Sequence, residues 1–231
     1  MPISSRQAIG ANPPKALADI DRVNGFLLLR RFLDRAAQAR LVEACHAVAR
    51  LAPFITPVMA DGRPFRVQMT NAGEWGWLSD RDGYRYARCH PSTGARWPAP
   101  PPALAAAVAE AVDAALGARA AAAFQPQCYL VNRYSPGTGR LGLHRDQDER
   151  DRAQPIVTLS LGASAVFLSG GATRKDRVER VAIDSGDVVV MSGPARLAYH
   201  GIDRLLPTLA PVTADGSRLS VTVRRVDPTA A

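Results

Sequence analysis

The chain has 231 residues, of which 47% are hydrophobic and 22% are charged. This balance is typical of a globular protein with one sizeable core, and it excludes intrinsic disorder, collagen and coiled coil. The 29 Lys and Arg residues outnumber the 21 Asp and Glu residues, so the net charge is +8 at pH 7. The basic excess favours an acidic partner, most commonly nucleic acid, although many basic proteins bind no polyanion.

Targeting features and cysteine usage predict a soluble cytoplasmic protein. Residues 1–14 contain no apolar run of the kind a secretory signal needs. Residues 155–173 are uncharged and approach the length of a membrane helix, but their Ser, Thr and Gly-Gly content favours two buried strands joined by a turn. Cys45, Cys89 and Cys128 are odd in number and widely spaced, which indicates reduced thiols and a reducing compartment.

The N-terminal half is predicted to contain a loose arm, one strand and two helices. Residues 1–25 show little periodicity and form the arm, and residues 26–29 form the strand. Asp34 stands where a helix N-cap is expected, and residues 103–116 predict a second helix. The intervening residues 56–97 are rich in Gly, aromatic and Arg residues, which favours hairpins or a folded loop region.

The C-terminal half changes to β character, with strands separated by Gly, Pro and Asp. The predicted strands are residues 128–134, 156–161, 165–168, 180–184, 187–191 and 219–226. Helices followed by a run of strands predict an α+β chain whose C-terminal half is a β-sandwich or jelly roll. We expect one structural domain overall, with residues 128–231 as its β core.

The first chemical signal is an H-x-D step formed by His144 and Asp146. Alternate residues of an extended chain point to the same side, so both side chains could bind one metal. His200 lies in the later β region and adjacent strands could bring it to the same point; two imidazoles and one carboxylate are the ligand set of non-haem Fe(II) oxygenases. The alternative is a loop histidine beside a solvated acid. His46 and His90 are interpreted as helix-surface and structural residues.

The second signal is an alternating strand near the C-terminus. Arg218, Ser220, Thr222 and Arg224 would share one face of it. Two arginines facing a barrel interior are costly unless an anion neutralises them. Their Cα atoms would lie roughly 20 Å apart, too far to grip one carboxylate, but their long side chains could hold the two ends of a short dicarboxylic acid. The alternative is an outward basic stripe on an edge strand.

Several motifs in order along the chain carry a family resemblance. They are MTNAGEWGW (69–77), GY (83–84), NRY (132–134), LHRDQDE (143–149), IVTLSLG (156–162), GDVVV (186–190), YHG (199–201) and RLSVTVR (218–224). Together they resemble the AlkB family of iron- and 2-oxoglutarate-dependent nucleic-acid dealkylases over residues 26–225, with bacterial members as the nearest likeness. The resemblance implies a double-stranded β-helix (jelly-roll) core. It also implies supporting helices and a nucleotide-recognition lid within residues 26–127.

The resemblance also implies the cofactors and their residues. Fe(II) would be held by the catalytic residues His144, Asp146 and His200, with O2 and 2-oxoglutarate as cosubstrates. Arg218, assisted by Tyr134, would bind the distal carboxylate of 2-oxoglutarate, and Arg224, with Asn132, the end near the metal. The family usually has Asn where this chain has Ser220, which removes one cosubstrate contact.

The implied substrate is an N-alkylated base such as 1-methyladenine or 3-methylcytosine, in single-stranded or damaged DNA, with RNA not distinguished from DNA. The implied reaction removes the methyl group as formaldehyde and releases succinate and CO2. The matching substrate residues are Trp77, Tyr84, Met69, Asp148 and Arg174. Trp75 is an alternative for the base-stacking role, and Gln147 replaces a family Lys.

Rival interpretations remain open at this stage. One is a related 2-oxoglutarate oxygenase acting on RNA, on protein or on a small molecule. A second is a module that binds alkylated nucleic acid without turnover, and a third is a hydrolytic zinc site. No membrane association or obligate protein partner is indicated.

Overall fold

The computed structural model describes residues 19–209 and 211–227, so most of the predicted N-terminal arm lies outside the described residues. The helices are α1 (Arg35–Leu51), α2 (Pro102–Leu116) and α3 (Ala118–Ala123), with a 3-10 helix at Gly193–Leu197. The strands are β1 (Asp19–Val23), β2 (Phe26–Arg30), β3 (Gln68–Gly73), β4 (Gly76–Asp80), β5 (Gly83–Ala87), β6 (Cys128–Tyr134), β7 (Leu141–His144), β8 (Ile156–Gly162), β9 (Ala165–Ser169), β10 (Glu179–Ile183), β11 (Val188–Met191), β12 (His200–Leu205) and β13 (Arg218–Arg224).

Two antiparallel sheets form the core of the fold. The major sheet has seven strands in the order β1-β2-β11-β8-β13-β6-β3, and the minor sheet has four in the order β10-β9-β12-β7. Side chains from both sheets, such as Leu130 and Met191 from one and Phe167 and Ile202 from the other, form one buried cluster between them. This arrangement confirms the α+β class and the jelly-roll core. The predicted restriction of that core to residues 128–231 is wrong, because β1, β2 and β3 are strands of the major sheet.

The helices cover the outer face of the major sheet. Leu41 and Val48 of α1, together with Leu104 and Val108 of α2, join a second buried cluster with alternate residues of the sheet strands. The central strands are therefore covered on both faces, which explains why they are almost uninterrupted runs of buried residues. The third layer fixes the major sheet as a rigid base for the space between the sheets.

The α1 N-terminus forms as its sequence predicts. The side chain of Asp34 accepts a hydrogen bond from the backbone N–H of Ala37 at 2.7 Å, which satisfies one of the free amide groups of the first turn. The N-cap prediction is confirmed.

Strands β4 and β5 form a hairpin that does not pair with a strand of either sheet. It lies within the segment where the sequence predicts hairpins or a folded loop. Gly76 at its start packs against the indole of Trp97, where a Cβ atom would come within 2.3 Å of the ring. Only glycine fits this close approach, so the residue fixes how the hairpin leaves the sheet.

Several elements of the described residues were not predicted, among them the 3-10 helix at Gly193–Leu197. Asp19–Val23 is a strand and not part of a loose arm, because it pairs along its whole length with β2. Ala118–Ala123 forms a short helix directly after α2. His200–Leu205, expected only as chain following the strand that ends at Met191, is itself a strand between β9 and β7.

The uncharged stretch at residues 155–173 forms β8 and β9, as predicted. Among the described residues, no helix has the length and apolar character needed to cross a membrane.

Candidate active site

Two histidines and one aspartate meet between the sheets. His144 ends β7, His200 begins β12, and the antiparallel register places these two residues directly opposite each other. Asp146 follows two residues after β7 and completes the cluster: its carboxylate oxygens lie 3.8 Å from Nε2 of His144 and 4.0 Å from Nε2 of His200. The ligand atoms all lie within 4.8 Å of one another, so the three residues could bind one metal ion together.

Glycine allows the two histidine strands to approach. A Cβ atom on Gly201 would lie 2.6 Å from the backbone oxygen of Leu141, so any larger residue would push β12 away from β7. The pairing register also shifts between His200 and Ile202, which is the local irregularity expected of a bulge beside a functional site.

Both imidazoles are oriented by backbone carbonyls. Nδ1 of His144 lies 2.9 Å from the carbonyl oxygen of Gly142, and Nδ1 of His200 lies 3.1 Å from that of Ala198. A carbonyl oxygen only accepts, so each Nδ1 carries a proton, and Nε2 is the nitrogen of each ring that is left to bind a metal. This is the usual outer arrangement of a metal-binding histidine.

The electrostatics keep the cluster ready to bind a cation. Burial, helped by nearby His144, lowers the pKa of His200 to about 4, so its ring is neutral at pH 7. Burial alone would raise the pKa of the Asp146 carboxyl. Arg224, together with the two histidines, outweighs burial and holds that pKa below its usual range. Neutral imidazoles and an ionised carboxylate are the forms that bind metal.

Arg218 is a buried cation at the other end of the pocket. Its side chain is 1% exposed, its Nη2 donates to Oγ of Ser160 at 3.0 Å, and its guanidinium lies 5.1 Å from the ring of Tyr134. Its Nε and Nη1 have no hydrogen-bond partner among the described residues. Burial lowers the pKa of this guanidinium, which is the sign of a charge that lacks an anion.

Arg224 lies at the metal end of the same strand. Its Nη2 is 3.2 Å from the Asp146 carboxylate, and its Nη1 is 2.8 Å from that of Glu149. Because β13 lies between β8 and β6, it is a central strand and its arginine face points into the pocket. The alternative of an outward stripe on an edge strand is therefore wrong.

Strand pairing brings the remaining predicted cosubstrate residues to the same face. On β6, Tyr134 lies opposite Arg218 and Asn132 opposite Ser220. Nδ2 of Asn132 is 3.5 Å from Oγ of Ser220, and the buried Oδ1 of Asn132 has no hydrogen-bond partner in the described part of the chain. The short Ser220 side chain leaves Asn132 incompletely satisfied.

These residues fit a ferrous ion and a short dicarboxylate. The donor set of two imidazoles and one carboxylate suits Fe(II) and leaves coordination positions open. The partnerless buried nitrogens of Arg218 and Arg224, with the free oxygen of Asn132, are polar atoms that a bound molecule would satisfy.

An aromatic wall made of Trp77, Tyr84 and Phe65 closes the pocket on the side of the β4–β5 hairpin. Trp77 and Tyr84 are stacked with centroids 5.4 Å apart, and Phe65 packs edge-on against Trp77. Nε1 of Trp77 donates to the Asp148 carboxylate at 3.0 Å, which places an acid at the edge of the wall. Buried Met69 lies on the same lining.

The other predicted positions fall outside the pocket or at its edge. Trp75 does not line the pocket and stacks instead with the guanidinium of Arg88 at 4.3 Å, which favours Trp77 over Trp75 for base stacking. Arg174 donates to the carbonyl oxygen of Leu143 at 2.8 Å and lines an open groove beside the pocket. Gln147 accepts a hydrogen bond from Arg145.

The two remaining histidines take no part in the cluster. His90 is buried against Trp97, and its Nε2 is 2.8 Å from the carbonyl oxygen of Pro53, so it is structural. His46 is half exposed on α1.

Sequence reasoning missed three residues beside the metal cluster: Tyr86, Glu149 and Arg196. Glu149 is 1% exposed and contacts Arg224, Arg196 and Tyr86. Its place three residues after Asp146 was a visible signal, but nothing local indicated that it is buried.

Comparison with known proteins agrees with this geometry. The model of the 2OG-Fe(II) oxygenase superfamily matches residues 25–224, and the chain belongs to this superfamily of Fe(II)- and 2-oxoglutarate-dependent enzymes. It is 41% identical to the α-ketoglutarate-dependent dioxygenase AlkB of Escherichia coli over 87% of this chain and 90% of that protein. Within the superfamily the chain is a member of the AlkB dioxygenases, and its cosubstrates are 2-oxoglutarate and O2.

Two further proteins are similar. The chain is 30% identical to the DNA N(6)-methyladenine demethylase ALKBH1C of Arabidopsis thaliana, over 81% of this chain and 44% of that protein. The solved structure of OsALKBH1 superimposes with a TM-score of 0.75 at 30% identity, covering 90% of this chain and all of that one.

Proposed function

We propose that this dioxygenase demethylates N-alkylated bases of DNA, such as 1-methyladenine and 3-methylcytosine, and so repairs them by direct reversal. The observation that carries the proposal is that the aromatic wall, with Asp148 at its edge, opens onto the same pocket as the His144–Asp146–His200 cluster. A base methylated at a ring nitrogen of its pairing edge is cationic. An aromatic face and a carboxylate favour that cation over the neutral, unmodified base.

In this proposal the histidine–aspartate cluster holds Fe(II), and the two arginines of β13 hold 2-oxoglutarate. Arg218 binds the distal carboxylate with Tyr134 beside it, and Arg224 binds the end near the metal with Asn132. Ser220 lies opposite Asn132 on the neighbouring strand. Its side chain is shorter than the Asn that the family usually has at this position, so it does not make the cosubstrate contact of that Asn.

Fe(II) held by His144, Asp146 and His200, with 2-oxoglutarate held by Arg218 and Arg224, would supply the oxidising chemistry. Of the two atoms of O2, one would end in succinate, with CO2 as coproduct, and the other would convert the N-methyl group into a hydroxymethyl group. Trp77 and His144 stack on the extracted base and hold that methyl group at the metal side of the pocket. The hydroxymethyl group then loses its hydroxyl proton to water, the C–N bond breaks with its electron pair returning to the ring nitrogen, and formaldehyde is released. The base is then neutral, so Asp148 no longer attracts it and the product leaves.

The groove beside the pocket supports a nucleic-acid substrate. Its cationic lining residues are Arg63, Arg66, Arg140, Arg145 and Arg174, and Asp203 is its acidic one. Such a surface binds phosphates without reading sequence. Because the base has to leave its stack to reach the pocket, single-stranded or damaged DNA is the easier substrate. RNA presents the same phosphates and is tested as a second substrate.

One assay separates this proposal from its rivals. Succinate and formaldehyde are measured with Fe(II) and 2-oxoglutarate, with a 1-methyladenine DNA oligonucleotide, its RNA counterpart or the unmodified strand. Formaldehyde released only with methylated DNA or RNA supports demethylation and identifies the strand. Tight binding of the methylated strand without product would instead make the protein a binding module, and no effect of either strand would favour a protein or small-molecule substrate.

A cytoplasmic location is proposed on the free state of all three cysteines. Fractionation of cells producing the native chain tests it: recovery outside the cytoplasm would contradict the proposal.

A further inference from the structure

Glu149 is a buried carboxylate to which three side chains bind. It is 1% exposed, and its Oε1 accepts hydrogen bonds from the hydroxyl of Tyr86 at 2.5 Å and from Nη1 of Arg224 at 2.8 Å. Its Oε2 accepts from Nη2 of Arg196 at 3.1 Å. Burial opposes ionisation, but Arg224 outweighs it and holds the pKa of Glu149 below its ordinary value.

The two arginines bound to Glu149 are the same ones that bind Asp146. Arg224 holds the Asp146 carboxylate at 3.2 Å, and Nη1 of Arg196 donates to the Asp146 backbone carbonyl at 2.8 Å. Arg224 therefore holds the Asp146 side chain and Arg196 holds its backbone, and both arginines are also paired with Glu149. Removing the Glu149 charge would leave Arg196 without its carboxylate and Arg224 with Asp146 alone, at a buried site where an uncompensated charge is costly.

The third partner of Glu149 comes from the hairpin that carries the aromatic wall. Tyr86 lies on β5, in register with Trp77 and two residues from Tyr84. The hairpin is held to the major sheet by hydrogen bonds between the Asn71 side chain on β3 and the Trp77 backbone. Its link to the cosubstrate end of the pocket is the Tyr86 hydroxyl, which donates to Glu149 and lies 3.4 Å from Nη1 of Arg224.

We propose that Glu149 is a positioning residue that aligns Arg224 for 2-oxoglutarate and, through Tyr86, couples occupancy of the cosubstrate end to the order of the β4–β5 hairpin. The charges support this role. When Asp146 gives its charge to a metal ion, Glu149 remains as the carboxylate that neutralises Arg224 and Arg196. The buried Nε of Arg224 has no hydrogen-bond partner within residues 19–209 and 211–227, so a ligand could satisfy it. The inference rests on the proposed assignment of Arg224 to 2-oxoglutarate.

The test uses Glu149→Gln, which keeps the shape and removes the charge, and Tyr86→Phe, which removes only the hydroxyl. Exposed Glu179 on β10 provides the matched control, Glu179→Gln. The dissociation constant of 2-oxoglutarate is measured by calorimetry with Mn(II) in place of Fe(II) and without nucleic acid. Amide hydrogen exchange of the β4–β5 hairpin is measured with and without 2-oxoglutarate.

Glu149→Gln is expected to weaken 2-oxoglutarate binding by about tenfold or more, because it removes a charged hydrogen bond that orients Arg224. It should also abolish the protection that 2-oxoglutarate confers on the hairpin. Tyr86→Phe is expected to abolish that protection while changing 2-oxoglutarate affinity by less than about threefold. Glu179→Gln should match the parent protein in both measurements.

A lower melting temperature for Glu149→Gln, with unchanged 2-oxoglutarate affinity and hairpin exchange, would overturn the inference and leave Glu149 a structural residue. If Glu149→Gln does not fold, Tyr86→Phe tests the coupling alone. The coupling is overturned if 2-oxoglutarate protects the hairpin amides of Tyr86→Phe from exchange as much as it protects those of the parent protein. The calorimetry and the hydrogen-exchange measurements contain no nucleic acid, so their results do not depend on DNA turnover. Absence of DNA turnover would therefore contradict the proposed function and leave the inference about Glu149 unaffected. Failure of Arg218→Met to weaken 2-oxoglutarate binding would instead show that the cosubstrate assignment is wrong.

Discussion

At the scale of single residues, the pocket is organised by buried charges that are paired at one end and unpaired at the other. Arg224 is surrounded by Asp146 and Glu149, which keep its pKa well above the ordinary value in spite of burial. Arg218 contacts the Ser160 hydroxyl and the Tyr134 ring, and it has no carboxylate partner in the part of the chain that the structure describes. The unpaired end is therefore destabilising in the free protein and is where a ligand carboxylate contributes most.

Asp146→Ala is expected to abolish succinate formation, because the metal cluster loses its only carboxylate. The measurement is succinate release with Fe(II) and methylated oligonucleotide, together with Mn(II) binding by calorimetry. Asp113→Ala, on the exposed face of α2, is the control and should keep full activity. Unchanged succinate yield in Asp146→Ala would reject the metal assignment.

Arg218→Met separates ligand binding from stability. An apolar side chain of similar length removes a buried charge that has no counter-ion, so the melting temperature without 2-oxoglutarate should stay the same or rise. The dissociation constant for 2-oxoglutarate should increase by about tenfold or more because a charged hydrogen bond is lost. Exposed Arg119→Met is the matched control. A fall in melting temperature with intact 2-oxoglutarate affinity would contradict the assignment.

At the scale of elements, local sequence predicted those strands and helices whose pattern is set by their own residues. β6 was predicted with its observed bounds, and β8 and β9 within one residue at their C-terminal ends, because long buried runs of β-branched and apolar residues indicate a central strand. β12 was missed because His200–Leu205 contains Gly, Asp and Arg without alternation. Its β structure comes from pairing with β9 and β7, which are distant in sequence.

Asp34→Ala tests the best-defined local signal. Losing the cap should cost about 1 kcal/mol of the free energy of unfolding. For a chain of this size that corresponds to a melting temperature lower by about 2–4 °C. Asp34→Asn should preserve stability, since an amide oxygen caps equally well. Equal melting temperatures for all three proteins would show that the cap contributes nothing.

At the scale of the whole molecule, the three layers separate two kinds of surface. Helices cover one side of the major sheet, and the pocket and the groove beside it open on the other. The arginines that line the groove concentrate part of the net charge of +8 near the pocket entrance, where they produce a positive electrostatic potential.

Salt dependence tests this distribution of charge. The slope of log K against log salt for a single-stranded oligonucleotide should fall in magnitude by about 1.4 in the double variant Arg66→Gln, Arg140→Gln, because each lost phosphate contact contributes about 0.7. The control Arg40→Gln, Arg119→Gln removes the same charge from the helical side. Equal slopes in both variants would mean that net charge, and not the groove, binds the strand.

The amino-acid sequence by itself determined the ligand types and their order: an H-x-D step, a later His, and two arginines six residues apart on one strand face. These signals are local, since they depend on spacing and alternation within one segment. The tertiary structure decided the inward direction of the arginines, the His144–His200 register and the burial of Glu149 among Tyr86, Arg196 and Arg224. Each of these depends on which strands pair and what covers them. Such contacts join residues far apart in the chain, so no local pattern specifies them.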